Sequence, residues 1–123
     1  MAQPTATAAG LAARAAGILA ALPAAGGGFV KVYSSTPILL VTFTLPSCTQ
    51  TAATINASTA SAAATPVANG TAATYDLCKS DGSILFTGGT VTDTNGAGPA
   101  KLNNLNIVTT SPVTLNSFSH QET

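Results

Sequence analysis

The feature that most restricts the possible folds is a change of hydrophobic period at three consecutive glycines, Gly26 to Gly28. Before them, apolar side chains recur at offsets of four, seven and eleven residues, the spacing of one helix face: Leu11, Ala15, Ile18 and Leu22. After them, β-branched and aromatic residues alternate with polar ones, as in strands that bury one face. The pattern predicts an all-β domain preceded by one short amphipathic helix.

The predicted helix spans Ala6 to Leu22. Thr5 is its expected N-terminal cap, and Pro23 ends it because proline cannot continue the hydrogen-bond ladder. Two internal glycines each cost about 1 kcal/mol relative to alanine, so the helix needs a surface to pack against. That surface is either a partner protein or the chain's own sheet, and the residues leave both alternatives open. Residues 1–28 form the predicted helical arm and hinge, and residues 29–123 the β domain.

Strands are predicted wherever short alternating runs lie between turn residues. They are Phe29–Tyr33, Ile38–Leu45, a weak strand at Ala53–Ala57, a hairpin within Thr71–Gly88, Thr90–Thr92, Lys101–Ile107 and Val113–Phe118. The stretch after Ala57 is expected to be an exposed loop. Seven or so short strands separated by turns predict a β-sandwich or jelly roll.

The clearest local signal is Asp81-Gly82, which lies between two alternating runs and is typical of a two-residue hairpin turn. Such a turn pairs Ser80 with Ser83, and hence Cys78 with Leu85 and Leu77 with Phe86. This register predicts one apolar face that belongs to the core, made of Tyr75, Leu77, Ile84 and Phe86.

Charge is scarce: 7% of the residues are charged, four Lys or Arg against four Asp or Glu, where a soluble domain carries roughly a quarter. Charged side chains are depleted from the centres of protein interfaces because desolvating them is costly. The composition therefore favours a protein that is covered by neighbours. It argues against nucleic acid as a partner, since phosphate binding needs several Lys or Arg on one face.

Neither a cofactor nor a metal site is predicted. Cys48 and Cys78 are either one disulfide or two buried thiols, and free thiols are the favoured interpretation. A structural zinc site needs four Cys or His ligands, and the chain has three such residues in all. The segment from Asp93 to Gly96 resembles the start of a calcium loop but lacks the later glutamate, so an Asn-Gly turn is expected.

An enzymatic function is not expected: catalysis would need the sole histidine, His120, to be held rigidly beside a serine or cysteine and a carboxylate, and residues so near the end of the sequence are usually loose. No apolar run approaches the roughly 20 residues that span a bilayer, so no membrane partner is predicted. A cleaved signal peptide, with Arg14 before the apolar stretch Ala15 to Leu22, is the weaker interpretation of the N-terminal region.

The order of these segments resembles a group of small virion proteins of tailed bacteriophages. The shared motifs are Phe29 to Tyr33 followed by a turn ending in Pro37, the strand Leu39 to Phe43, Asn69 to Leu77, Ser80-Asp81-Gly82, Gly88 to Val91, Leu102 to Ile107 and Val113 to Phe118. The chain departs from the group at two places. It has Ser111-Pro112 where the group usually has glycine before the last strand, and the aromatic residue that the group commonly has at the position of Asp76 or Leu77 is present only as Tyr75.

The resemblance implies a β-sandwich or jelly-roll capsid cement or decoration protein that binds the major capsid protein lattice on the outside of the virion. A dimer or trimer of the chain is expected beside this contact. The predicted contact residues lie in the arm and near the C-terminus: Leu11, Arg14, Ile18, Leu22, Phe118 and His120. The alternatives are a neck, tail or head-fibre component, or a secreted adhesin or carbohydrate-binding module with a Cys48–Cys78 disulfide.

Overall fold

A computed structural model describes residues 7–21, 28–45, 48–57, 62–79, 81 and 83–121. Over these ranges the chain forms one helix and eleven strands. They are α1 (Ala8–Ala21), β1 (Phe29–Tyr33), β2 (Leu39–Thr44), β3 (Cys48–Thr51), β4 (Thr54–Ala57), β5 (Ala62–Ala64), β6 (Gly70–Thr71), β7 (Thr74–Cys78), β8 (Ile84–Asp93), β9 (Ala100–Leu102), β10 (Asn106–Ile107) and β11 (Val113–Gln121). In this part of the chain, no helix is both long and apolar enough to cross a bilayer.

Nine strands form one sheet in the order β2-β1-β7-β8-β9-β11-β4-β3, with β5 added to β11, and β6 pairs with β10 separately. The pairings are antiparallel except for β8 with β9. The sheet is curled. Two strands separate β7 from β11 in the sheet, yet Tyr75 on β7 contacts Phe118 on β11 edge to face, with ring centroids 5.4 Å apart. The predicted all-β class is confirmed, since the described chain is mostly strand with one short helix.

The core fills the inside of the curl. In β1, burial alternates along the strand: Val30 and Val32 are fully buried, while Phe29, Lys31 and Tyr33 are half-buried on the outer face. The largest fully buried side chains of this core come from β1, β2, β4, β7, β9, β10 and the residue that follows β2: Phe43, Leu40, Leu45, Ile55, Leu77, Leu102, Ile107, Val30, Val32 and Val41. Most of these strands are short, so every strand contributes only a few core residues.

The helix α1 folds back on its own sheet and packs against β3 and β4. Ala15 is fully buried at this contact, and the Gln50 side-chain amide of β3 donates a 2.8 Å hydrogen bond to the Ala12 carbonyl. Of the two alternatives for the helix, the intramolecular one is therefore observed. Thr7 caps α1, with its hydroxyl accepting a hydrogen bond from the Gly10 N–H at 3.2 Å, whereas the predicted cap Thr5 lies outside the described residues.

The predicted hairpin is present, but its register is wrong at the turn. Leu77 pairs with Phe86 as predicted, while Cys78 pairs with Ile84 and the Lys79 N–H bonds to the Ser83 carbonyl at 2.8 Å. Three residues therefore lie between Lys79 and Ser83, instead of the predicted two between Ser80 and Ser83. The pairing shifts by one residue at an irregularity between Leu77 and Cys78. As a result Ile84 leaves the predicted core face and is 60% exposed.

Other boundaries differ in smaller ways. The strand predicted at Thr90–Thr92 is the end of the long β8, and Lys101–Ile107 is divided into β9 and β10. The weak strand at Ala53–Ala57 is confirmed as β4, and β3 pairs with it across a tight turn at Ala52, whose φ is 51°. Within the segment expected to be a loop, β5 pairs with β11.

Candidate functional site

Three loop segments meet at one end of the curled sheet: residues 34–38, 65–71 and 105–112. Val67 N–H donates to the Leu40 carbonyl at 2.7 Å, which places the second segment beside the start of β2. The pairing of β6 with β10 joins the second segment to the third, and the Thr109 N–H donates to the Asn69 side-chain oxygen at 2.8 Å. We call the surface formed by these segments the neutral loop face.

The neutral loop face is exposed, apolar in patches and free of charged residues. Ile38 is 53% exposed, Val67 67% and Val108 39%, three of the four large hydrophobic side chains exposed on the described part of the chain. Exposed Ser, Thr and Asn residues surround them. Neutral polar groups around a few aliphatic side chains are cheap to desolvate compared with charged groups, so this composition suits burial against another protein.

The fourth exposed aliphatic residue, Ile84, lies elsewhere. Tyr33 pairs with Thr74 at the end of β7 nearest the neutral loop face, and Phe29 pairs with Cys78 at the other end. Ile84 is paired with Cys78, which lies four residues, about 13 Å at 3.3 Å per residue, along β7 from Thr74. Lys79 and Asp81 accompany it in the hairpin turn.

The predicted contact residues of the helix do not form one exposed stripe. Arg14 is exposed, Leu11 is half-buried, and Ile18 packs against the core cluster of the sheet. Leu22 lies outside the described residues. The spacing that predicted this stripe is real, but the sheet of the same chain takes up its inner part at Ala15 and Ile18.

The two C-terminal contact residues lie on β11. Phe118 is 2% exposed and packs against Tyr75, so its ring belongs to the core and offers no surface to a partner. His120 is half-buried, pairs with Ile55 of β4 and stacks on Phe86 with ring centroids 4.4 Å apart. The strand predicted to end at Phe118 continues in the structure as β11 through Gln121.

His120 also lines a cleft of about 350 Å³ on the β9–β11 side of the sheet. The lining is polar and includes the Lys101 ammonium group, the hydroxyls of Ser117 and Ser119, and the Gln121 amide. The predicted contact residues therefore divide between the helix, the core and this cleft, and none of those described lies on the neutral loop face.

Both cysteines are buried, and they are not joined in a disulfide. Burial raises the pKa of the Cys48 thiol. Burial is also the main cause of the raised pKa of Cys78, where the charge of Asp76 adds to the effect and that of Lys31 opposes it. The interpretation as two buried thiols is confirmed. Among the described residues, no three His, Cys, Asp or Glu side chains come together in a group that could hold a metal ion.

None of the predicted contact residues that the structure describes lies in the neutral loop face, although the sequence contains a signal for this surface. No charged residue occurs between Lys31 and Asp76, or between Lys101 and Glu122, and the three loop segments lie within these two intervals. Their convergence depends on contacts between distant parts of the chain. Comparisons with protein-family models, with curated proteins and with solved structures find no match.

Proposed function

We propose that this chain is a structural virion protein of a tailed phage, a β-sandwich or jelly-roll domain that binds the outside of the capsid as a cement or decoration protein. The resemblance of its motifs to small virion proteins supports the class. The observation that carries the mode of action is the neutral loop face, with Ile38, Val67 and Val108 exposed and no charged residue in its three segments.

The proposed mechanism is the burial of this face against major capsid proteins. Each exposed aliphatic side chain that leaves water contributes about 25 cal/mol per Å² of apolar area. A protein that binds only the assembled lattice stabilises it by mass action, and repetition over the symmetric shell multiplies a modest local term. The virion exterior is the proposed location, and contacts between copies of the chain are proposed to accompany the capsid contact.

The experiment measures copies of the chain on purified particles relative to the major capsid protein. Hundreds of copies per particle are expected. A dozen copies or fewer would contradict the proposal, because that number indicates a neck, tail or head-fibre component at one vertex.

The docking surface is tested by substitution in the same assay. The variants are added to depleted shells, capsid shells from which this chain has been removed, and the copies bound per shell are counted. Val67→Asp places a charge at the most exposed large aliphatic position of the described residues. It is expected to lower the number of bound copies at least about tenfold, as truncation of interface anchors does. Ile84→Asp is the matched control, since Ile84 is similarly exposed but lies away from the neutral loop face. Equal losses from both variants, or none from Val67→Asp, would exclude the neutral loop face as the docking surface.

A further inference from the structure

A groove on the outer face of the sheet opens beside the neutral loop face. It has a volume of about 270 Å³ and is lined by Tyr33, Pro37, Thr74, Asp76, Thr87 and Gly88. Pro37 belongs to the first loop segment, so the groove is continuous with the neutral loop face. Its volume is below the roughly 300–1,000 Å³ of pockets that enclose drug-sized ligands, and it fits a single side chain better than a whole small molecule.

The chemically distinctive group in the groove is a buried carboxylate. Asp76 is only 8% exposed, the sole buried polar or charged residue among those described. Its Oδ1 atom accepts a 2.7 Å hydrogen bond from the Thr87 hydroxyl. Burial raises the pKa of the Tyr33 phenol, and the charge of Asp76, the charge of Cys78 and a hydrogen bond to Asp76 raise it further.

These contacts leave the groove rich in hydrogen-bond acceptors. A carboxylate offers about four lone-pair sites, and the Thr87 hydroxyl uses one of them. Because the Thr87 hydroxyl donates to Asp76, its own oxygen remains available only as an acceptor. A matching ligand must therefore bring donors, and a positive charge would in addition compensate the buried negative one.

The same chain already places one cation near this carboxylate. Lys31 lies directly opposite Asp76 in the pairing of β1 with β7, and its side chain is half-buried. The charge of Lys31 also acts on Cys78, the next outward residue of β7, so it is shared between two groups. Lys31 is thus an internal competitor for any external cation, and its removal is informative.

We propose that the groove receives a basic side chain, arginine in preference to lysine, from the protein on which the neutral loop face docks. A planar guanidinium group can donate to the Asp76 carboxylate and stack on the ring of Tyr33 at the same time, which a compact ammonium group cannot. This inference rests on the proposed function and adds a specific anchor to an otherwise non-directional contact, because desolvated charge pairs select partners by geometry.

The first test uses the isolated chain and needs no capsid. Methylguanidinium is titrated at constant ionic strength, and amide chemical shifts are followed by nuclear magnetic resonance. Saturable shifts centred on Tyr33, Asp76 and Thr87 are expected, with weaker binding of methylammonium and none of a neutral methyl glucoside. The absence of groove shifts, or stronger binding of the glucoside, would overturn the proposal.

Two variants are expected to change methylguanidinium binding in opposite directions. Asp76→Asn preserves the shape of the side chain and is expected to weaken methylguanidinium binding about tenfold or more, since it removes the charge from the acceptor. Lys31→Met removes the internal competitor and is expected to strengthen binding several-fold. If Asp76→Asn fails to fold, the Lys31→Met result alone decides, and unchanged or weaker binding there contradicts the proposal.

A second test separates this inference from the proposed function. Asp76→Asn chains are expected to occupy depleted shells less fully than the unmodified chain. If the groove binds methylguanidinium but occupancy does not change, the anchor on the shell is excluded while the capsid function stands. If the chain is absent from capsids altogether, the proposed function fails and the titration still reports on the groove.

Discussion

Gly88 and Gly89 are adjacent on β8 and are constrained for different reasons. A Cβ atom added at Gly89 would lie 2.2 Å from Cε1 of the Tyr75 ring, and that ring packs against Phe118 in the core. A Cβ atom at Gly88 would meet nothing within 4 Å, but the residue has a φ of +77°, which L side chains rarely adopt. Packing excludes a side chain at one position, and backbone geometry disfavours it at the other.

Alanine substitutions are expected to separate the two causes. Gly89→Ala should destabilise the fold by about 2–3 kcal/mol, because a buried ring must move from a well-packed site. Gly88→Ala should cost about 1–2 kcal/mol from the left-handed conformation alone and leave the packing of Tyr75 unchanged. Urea denaturation measures both free energies, and the Tyr75 ring resonances report the displacement. A larger loss for Gly88→Ala, or an unmoved Tyr75 ring in Gly89→Ala, would contradict this account.

At the same scale, the sequence identified core residues better than contact residues. Tyr75 and Leu77 follow from alternation, since every second side chain of a strand faces the same side. The burial of Asp76 could not be predicted in this way, because a carboxylate at an outward position is ordinarily solvated. It is buried although it faces outward, and the Thr87 hydroxyl of the neighbouring β8 donates a hydrogen bond to it.

Among the elements, α1 depends on the sheet for its stability. A helix of 14 residues is marginal in water, and Gly10 and Gly17 weaken this one further. Its fixed points on the sheet include the buried Ala15 and the carbonyl of Ala12, which accepts from the Gln50 amide. The same amide donates to the Ala52 carbonyl at 2.7 Å, so Gln50 links the helix to the turn between β3 and β4.

Ala15→Asp is expected to release the helix from the sheet, because it buries a charge without a partner. Helical circular dichroism should fall, and trypsin should cleave after Arg14 faster than in the unmodified chain. Ala16→Asp is the matched control, since Ala16 is exposed and the helix-propensity cost of the substitution is the same. Equal cleavage rates in the two variants would show that the contact at Ala15 does not hold the helix.

The elements found by sequence analysis are those with a strong period. β1 was predicted with its observed bounds because four of its five residues are β-branched or aromatic and the turn residues of Ser34 to Pro37 follow it. β3 has only Cys48 as an apolar residue, and β5 consists of three alanines, so neither has a period to detect. Both are strands because a partner is already in place, β4 for the first and β11 for the second. The hairpin register failed for a related reason, since an irregularity in β7 and β8 outweighed the two-residue turn preference.

Over the whole molecule, none of the charged residues that the structure describes lies within the three segments of the neutral loop face. Arg14 is on the helix, Lys31 and Asp76 are on the outer face of the sheet, and Lys79 and Asp81 flank the hairpin turn. Asp93 is at the end of β8, where its carboxylate accepts hydrogen bonds from the N–H groups of its own turn. The neutral loop face itself thus carries no charge, while Asp76 lies in the groove that adjoins it.

The stability of the whole molecule is expected to fall in alkaline solution. Burial raises the pKa of Cys48 and Tyr75, and it is the main cause of the raised pKa of Cys78 and Tyr33. In the unfolded chain these groups ionise at their ordinary values, near 8.5 for thiols and 10 for phenols. Between those values and the raised ones, the folded chain holds more protons than the unfolded chain, so the free energy of unfolding decreases as pH rises.

The measurement is the urea midpoint at pH 7.5, 9.5 and 10.5. The contribution of these groups is fully present below about pH 8, because both states are then protonated, and it is lost progressively above that value. The thiols titrate first, so a variant with Cys48→Ala and Cys78→Ala should start from a lower midpoint and lose less between pH 7.5 and 9.5. The tyrosines should keep the decrease between pH 9.5 and 10.5 in both proteins. A midpoint that rises with pH would contradict the expected loss of stability. A double variant with the same decrease between pH 7.5 and 9.5 would show that the buried thiols do not cause that decrease.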